Sequence, residues 1–241
     1  RALDSIVAQN DGTIEVIAFD DGSTDRSVDI LNGYADRLAI SVHARTHTGN
    51  WVANTNYCVS LARGEFISLL HQDDAWLPGR VETLRKLSLE NPSAGWFIHP
   101  AVFVDDNDRP LGRWSCPLPR AAKPVAPETI LPRLAVQNFI PLPSVMFRRS
   151  LAQTIGPMNE QLWFFGDWEY WIRLADRAPA VYWPEPLACF RLHRLSQTAT
   201  ATRDREDIAR QFDTVMEEVL ALSRWTEGER KSLRKTMEFS R

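Results

Sequence analysis

Phe66-Ile67-Ser68-Leu69-Leu70-His71-Gln72-Asp73-Asp74-Ala75-Trp76-Leu77-Pro78 is an apolar run that stops at two adjacent acids. A second junction of this kind lies upstream, where Ile14-Glu15-Val16-Ile17-Ala18-Phe19 runs into Asp20-Asp21-Gly22-Ser23. Short apolar runs bounded by turn-forming residues read as buried strands. Two such strands, each tipped by an Asp pair, place up to four carboxylates at one edge of a sheet. Like charges gathered there repel by roughly 1 kcal/mol per pair in water and about 4 kcal/mol at an effective dielectric of 20. A cation or a donor-rich ligand relieves that repulsion, so the pattern points to a metal-nucleotide site.

Helical segments separate these strands. Gly22 permits a tight turn, and Ser23 or Thr24 is expected to cap a helix running to about Tyr34. Leu38–Val42 reads as a strand. Gly49-Asn50 opens a second helix to about Arg63, with Gly64 in the left-handed position beyond its end. After strand Glu65–Leu70, Pro78 suits the first position of a helix ending at Asn91-Pro92. Trp96–Val104 reads as one strand, followed by a turn at Asp105-Asp106-Asn107-Asp108. The alternation predicts an α/β fold with a Rossmann-like, mostly parallel sheet flanked by helices. At the start of the chain, apolar residues at positions 2, 3, 6 and 7 have a helical period with no capping signal ahead. The first residues are therefore expected to lie inside a helix, with the strand before it missing from the numbering.

Composition narrows the function classes. The 241 residues suit one α/β domain with a helical appendage. The net charge of −3 is spread through mixed signs, so no basic face announces nucleic acid. Cys58, Cys116 and Cys189 are far apart and lack metal-ligand spacing, which fits reduced thiols in a cytoplasmic protein. No apolar run approaches the roughly 18 residues of a membrane span, and no signal-peptide pattern is present. Peripheral contact with the inner face of a membrane stays open, as does oligomeric state. Nine tryptophans is a high count; such rings stack on sugars or fill cores.

The stretch from Leu111 to Pro143 changes character, with prolines at 117, 119, 124, 127, 132, 141 and 143. It reads as part of a loop-rich insertion at about 105–143, with one short helix near Pro127–Gln137. Ser144–Phe147, Val181–Trp183 and Leu187–Leu192 read as strands. Asp167–Arg177 reads as a helix with Trp171, Leu174 and Ala175 inward. From Arg203 two amphipathic helices are expected, split near Ser223–Glu227, either packing on the domain or mediating oligomer contacts.

Four motifs in order resemble family 2 glycosyltransferases, which have the nucleotide-sugar-binding GT-A fold. They are Asp20-Asp21-Gly22-Ser23-Thr24-Asp25, Gly49-Asn50-Trp51 through Ala62-Arg63-Gly64-Glu65-Phe66-Ile67, and His71-Gln72-Asp73-Asp74 with Pro78. The fourth is Gly166-Asp167-Trp168-Glu169-Tyr170-Trp171-Ile172-Arg173-Leu174, followed by Arg191-Leu192-His193. The resemblance covers about Ala2 to His193. It implies a GT-A domain over 1–200 with a C-terminal helical extension at 201–241. It also implies metal-dependent, inverting transfer of a sugar from a nucleoside-diphosphate sugar, UDP-linked by expectation, to a hydroxyl of a glycan or lipid-linked acceptor. A divalent Mn²⁺ or Mg²⁺ would bridge protein and diphosphate.

By the same resemblance, Asp20, Asp21, Ser23, Asn50, His71 and Asp73 are nucleotide-binding candidates, with Asp20 favoured for the base. Asp74, Asp73 and His193 are metal candidates. Asp167 is the candidate base that deprotonates the acceptor; a simple helix N-cap is its alternative, and Glu169 is the runner-up for the base. Trp168, Glu169, Arg173 and Arg191 are acceptor or phosphate candidates, and Arg194, Ser196 and Gln197 extend that polar patch. Trp163, Phe164 and Phe165 either stack on the acceptor or fill the core. Many relatives carry Asp where this chain has His71, so His71 either donates to ribose or phosphate or is a satisfied neutral imidazole. A nucleotidyltransferase and an inactive sugar-nucleotide-binding module are the rival readings.

Overall fold

The computed structural model describes residues 1–120, 122–193 and 205–240. Along the chain run α1 (Ala2–Val7), β1 (Glu15–Asp20), α2 (Ser27–Asn32), β2 (Ala39–Ala44), α3 (Trp51–Leu61), β3 (Phe66–Ser68), β4 (Ala75–Trp76) and α4 (Arg80–Glu90). Next come β5 (Trp96–Ile98), β6 (Ala101–Val104), β7 (Pro110–Trp114), β8 (Pro124–Val125), α5 (Pro127–Leu134), a 3-10 turn at Leu142–Ser144, β9 (Val145–Arg148) and α6 (Arg149–Ile155). The last elements are α7 (Gly166–Arg177), β10 (Ala180–Tyr182), β11 (Ala188–Arg191), α8 (Arg205–Ala221) and α9 (Glu227–Ser240).

The α/β architecture matches expectation, but the sheet is not mostly parallel. Strands β1 and β2 form a parallel pair; the other sheets have the orders β3-β9-β5-β10-β8 and β4-β11-β6-β7. In these two sheets only β5/β10 and β11/β6 are parallel, and every other neighbour runs antiparallel. The reversal comes from β9, which enters antiparallel between β3 and β5 after the long proline-rich connection. Helices joining successive strands suggested parallel crossovers, but three-residue apolar strands carry no signal for which neighbour they pair with.

The apolar run Trp96–Val104 is two strands in two sheets, broken at His99-Pro100. Proline lacks the N–H a ladder needs, so pairing cannot run through it. The fully buried Arg80 guanidinium braces this corner, donating to His99 Nε2 at 3.1 Å, Ser68 Oγ at 3.2 Å and Val145 O at 3.1 Å. These bonds tie the end of β3, and hence the His71–Asp74 turn, to β9 and the corner.

Several local expectations shift. Neither Ser23 nor Thr24 caps α2, which starts at Ser27 without a side-chain cap; the Ser23 N–H is bonded to Asp20 instead. Gly64 is not left-handed, because the chain leaves α3 through extended Ala62 and the Gly64 N–H donates to Glu15 at 2.7 Å. Pro78 precedes α4 by two residues, and Gly79 at φ 77° opens that helix.

The main core joins Trp96, Phe147, Ile130, Leu134, Trp168, Trp171 and Leu174 with Val215, Met216, Val219 and Trp225 of the C-terminal segment. Full burial of each aliphatic side chain contributes roughly 1.5–3 kcal/mol. Helix α8 is therefore integral to the packing behind α7. Among the described residues no helix is long and apolar enough to cross a membrane.

Candidate functional site

The first acid turn follows β1. Asp20 is buried, and its Oδ2 accepts the N–H groups of Gly22 at 3.1 Å and Ser23 at 2.9 Å. This turn requires Gly22, whose φ is +78° and whose missing Cβ would lie 2.6 Å from the His47 amide nitrogen. Asp21 points across the turn and accepts the Thr48 N–H at 2.8 Å and the Gly49 N–H at 2.8 Å, which helps hold its carboxyl below the ordinary range despite the opposing effect of burial. It is committed to organising the 47–49 loop. An open groove of about 670 Å³ lies beside Asp20, Gly22, Ser23, Val28 and Arg45. Arg45 also lays its guanidinium over the Tyr57 ring at 3.9 Å.

The second acid turn follows β3. It is not on the same sheet edge as the first, because β1 and β3 belong to separate sheets. The Asp73 carboxylate is about a quarter exposed, and its Oδ2 lies 3.0 Å from His193 Nε2. Asp74 lies in the interior, its Oδ1 accepting the Arg191 N–H at 3.0 Å. Burial pushes the Asp74 carboxyl up to about 7. Arg191, an expected phosphate contact, is itself buried and braces the turn. Its Nε donates to Asp73 O at 2.9 Å, and its guanidinium also bonds Asp105 O and Asp108. Burial lowers the His71 pKa, which keeps the ring neutral at neutral pH.

Helix α7 carries the third component. Its N-cap is Phe165, so Asp167 is a first-turn residue and not the cap. Asp167 Oδ1 accepts the Trp168 N–H at 2.7 Å, and Oδ2 accepts Asn138 Nδ2 at 3.2 Å. Burial raises its pKa to about 6, with these two donors opposing the rise. Asn138 lies in the proline-rich insertion and was not a sequence candidate; no pattern in the residues links it to α7.

Trp51 joins the three components. The Gly49 amide two residues before it is bonded to Asp21, and its indole meets the His71 ring edge-on at 5.4 Å. Its Nε1 donates to Trp163 O at 2.5 Å. A Cβ on Gly166 would lie 3.7 Å from the same indole. Trp51 thus lies between the loop held by Asp21, the His71–Asp74 turn and the segment that leads into α7.

Other expected residues serve packing. Asn50 caps α3, accepting the Val52 and Ala53 N–H groups, and donates to Glu160 O at 3.0 Å. Glu169 is 3% exposed and paired with Arg173, which also donates to Ile155 O and Pro157 O, both at 2.7 Å. The structure commits these two side chains to joining α7 to the end of α6, not to an acceptor or a phosphate. Trp168 is 2% exposed, with Nε1 on Leu134 O at 2.8 Å, so it is no open sugar platform. Trp163 bonds Asp207, the Phe164 N–H bonds Gln211, and Phe165 packs on Trp168 and Phe212. That cluster docks α8. Arg194, Ser196 and Gln197 lie outside the described residues.

Among the described residues no group of three His, Cys, Asp or Glu is placed to hold a metal alone. Asp73 with His193 makes a two-donor set. Mg²⁺ typically takes one or two carboxylates and completes its shell with phosphate and water, so this donor set fits a bridging ion and not a caged one.

The model for glycosyl transferase family 2 matches residues 1–156. A PGL/p-HBAD biosynthesis glycosyltransferase of Mycobacterium bovis is 29% identical over 176 residues, covering 71% of this chain and 62% of the relative. The chain spans between 62% and 67% of the length of the first curated relatives it matches. Staphylococcus aureus TarS in complex with UDP-GlcNAc superimposes with a TM-score of 0.76 at 17% identity, over 96% of this chain and 65% of that one. The Pyrobaculum calidifontis mannosyltransferase PcManGT, in complex with GDP-Man and Mn²⁺, does so with a TM-score of 0.65 at 17% identity, over 99% and 64%. These likenesses establish the fold as that of the GT-A TarS structures.

Proposed function

The chain belongs to glycosyl transferase family 2, and from that premise we propose that it moves a sugar from a nucleoside-diphosphate sugar, UDP-linked, onto a hydroxyl of a glycan or lipid-linked acceptor. The observation that carries this reading is the position of Trp51, which follows the loop held by Asp21, meets His71 of the turn that carries the part-buried Asp73–His193 pair, and donates to Trp163 just ahead of the helix that carries Asp167. The groove beside Asp20 and Ser23 takes the nucleoside, with Asp20 reading the base. The part-buried Asp73 and His193 face the diphosphate. The bound nucleotide sugars of the TarS and PcManGT complexes support a donor of this class, and the Mn²⁺ of the second supports a divalent ion.

Asp167 acts as the base. Its burial matters because an ordinary Asp, near pKa 3.9, is a poor proton acceptor at neutral pH, and efficiency improves as the pKa nears the working pH. The acceptor hydroxyl gives its proton to the Asp167 carboxylate while its oxygen bonds C1 of the sugar. The bond from C1 to the diphosphate breaks, and its electron pair leaves on the phosphate oxygen. One displacement inverts the anomeric centre and forms no covalent enzyme intermediate. A divalent ion held by Asp73 and His193 would supply charge neutralisation on the departing diphosphate. Residues 1–200 carry these groups, and the helices of 201–241 support α7 from behind.

The test is product analysis on the full chain with a panel of nucleotide sugars and acceptors, with and without Mn²⁺. Release of nucleoside diphosphate together with a glycosylated acceptor is expected. Pyrophosphate release, or donor binding that never leads to turnover, overturns the proposal. Asp167→Asn is expected to lower kcat by 10²–10⁴-fold, the usual range for general base catalysis, while donor affinity stays within about two-fold.

A further inference from the structure

Three side-chain bonds fasten α7 to the segment Leu134–Ile140. Trp168 Nε1 donates to Leu134 O at 2.8 Å, and Trp171 Nε1 donates to Ile140 O at 3.2 Å. Asn138 Nδ2 donates to Asp167 Oδ2 at 3.2 Å. The Asn138 amide is fixed from both sides, because its Oδ1 accepts the Ile140 N–H at 3.1 Å. Flipping the amide would set N–H against N–H and oxygen against carboxylate, so only one orientation satisfies both neighbours. The two tryptophan bonds hold the segment in register, and Asn138 reaches the acid from within it.

We infer that Asn138 is the positioning residue for the transfer reaction, fixing the Asp167 carboxylate so that its remaining lone pairs meet the acceptor hydroxyl. The inference rests on the reading of Asp167 as the base. Oδ1 accepts the Trp168 N–H and Oδ2 accepts Asn138. An ionised carboxylate offers about four lone-pair positions, so these donors leave room for the incoming proton. The donors also matter for ionisation. Burial raises Asp167 to about 6, and the Trp168 N–H, Asn138 and the Asp167 N–H oppose that rise. The groups that set its ionisation are uncharged amides; no charged side chain is among them. The insertion thus brings a working part of the site and is more than a loop spanning two elements.

The experiment uses the full chain and four variants, ligand-free for the titration and with donor and acceptor for the rates; the fourth, Asp167→Asn, serves the assignment. Asn138→Ala removes both bonds of the side chain. Asn138→Ser keeps a short acceptor for the Ile140 N–H but no longer reaches Asp167. Trp168→Phe loosens the same segment without touching the Asp167 donors. A carbon-13 NMR titration of the Asp167 carboxyl, assigned by its loss in Asp167→Asn, is expected near pH 6 in the parent chain. It should move up by about one unit in both Asn138 variants, the size of one hydrogen bond to a charged group, and stay within a few tenths in Trp168→Phe. The acidic limb of kcat/KM should move with it. Above that limb kcat should fall about ten-fold at unchanged donor KM.

An unmoved Asp167 titration in Asn138→Ser, or an equal shift in Trp168→Phe, overturns the inference. A shifted titration with an unmoved pH-rate limb overturns it as well. Full activity in Asp167→Asn sinks the base assignment itself, and the titration of Asp167 still reports separately whether Asn138 sets its ionisation.

Discussion

The Trp51 indole stands edge-on to the His71 imidazole, with ring centroids 5.4 Å apart and planes at 80°. On its other side the indole N–H is bonded to Trp163 O. One side chain therefore sets the spacing between the turn that presents Asp73 and the approach to Asp167. Trp51→Phe keeps an aromatic ring, smaller than the indole, and leaves a carbonyl unpaired, which costs about 1 kcal/mol. Trp51→Ala also opens a cavity and is expected to cost about 3 kcal/mol, the low end for a large aromatic because the ring is only part-buried. Turnover should suffer more than folding, with kcat/KM down about ten-fold in Trp51→Phe at temperatures where circular dichroism reports a folded chain. Unchanged turnover in Trp51→Ala would remove this residue from the site.

Gly22 and Gly49 offer a graded test of the first acid turn. Both have positive φ, +78° and +70°. A non-glycine residue pays roughly 1–2 kcal/mol for that conformation. At Gly22 a Cβ would also press to 2.6 Å from the His47 nitrogen, a backbone atom that cannot yield without moving the loop. At Gly49 the nearest atom is 3.6 Å away, at the tip of the exposed His47 side chain. Gly22→Ala should therefore destabilise by about 2 kcal/mol or more and weaken UDP binding at least ten-fold, because Asp20 loses its two amide donors. Gly49→Ala should cost about 1 kcal/mol. Urea denaturation and calorimetric titration with UDP read both effects, and the reverse order would contradict the turn geometry.

The two acid turns and the helix carrying Asp167 were legible because each is a local pattern: an apolar run, an abrupt pair of acids, a first-turn acid ahead of a 3.6-residue period. The helices α3, α4 and α7 fall within two residues of where periodicity and punctuation place them. What the residues did not disclose is long-range. Nothing in Val145–Arg148 announces that it pairs antiparallel to both β3 and β5. His99-Pro100 did carry a warning, since proline inside an apolar run argues against a continuous strand. Arg191 and Asn138 were hidden differently. A buried arginine looks like a surface one in sequence, and an amide 29 residues from its carboxylate partner has no spacing that betrays it.

Arg191 is the brace of the second acid turn, and its loss should be felt there first. It is 7% exposed and contacts Asp73 O, Asp105 O and Asp108. Arg191→Ala leaves two part-buried carbonyl groups unpaired, at about 1 kcal/mol each, so a loss of about 2 kcal/mol is expected. Arg191→Lys restores charge but not the planar fork that reaches several acceptors at once, and should recover less than half. If the residue served only the substrate, neither variant would lower the melting temperature of the ligand-free protein.

A pH-dependent element lies behind the site, where Glu218 of α8 shares a hydrogen bond with Glu169 of α7 beside Arg173. Burial first, then the Glu169 charge, raises Glu218 from the ordinary 4.5 to about 7. Between those values the folded chain keeps a proton that the unfolded chain has lost, so stability falls as pH rises from about 4.5 to 7. Glu218 is partly exposed and solvent screens the effect, which sets the expected change on the order of 1 kcal/mol. His71 and His99 act in the opposite direction, because burial lowers both and the unfolded chain gains their protons below about 6.5. The total profile mixes these signs, but the difference between the parent chain and Glu218→Gln does not. Glutamine keeps the hydrogen bond and cannot ionise, so the variant should gain stability relative to the parent as pH rises from 5 to 8. Thermal denaturation at both pH values measures this, and a difference that does not change with pH would mean that the two carboxyls do not share a proton where α8 meets α7.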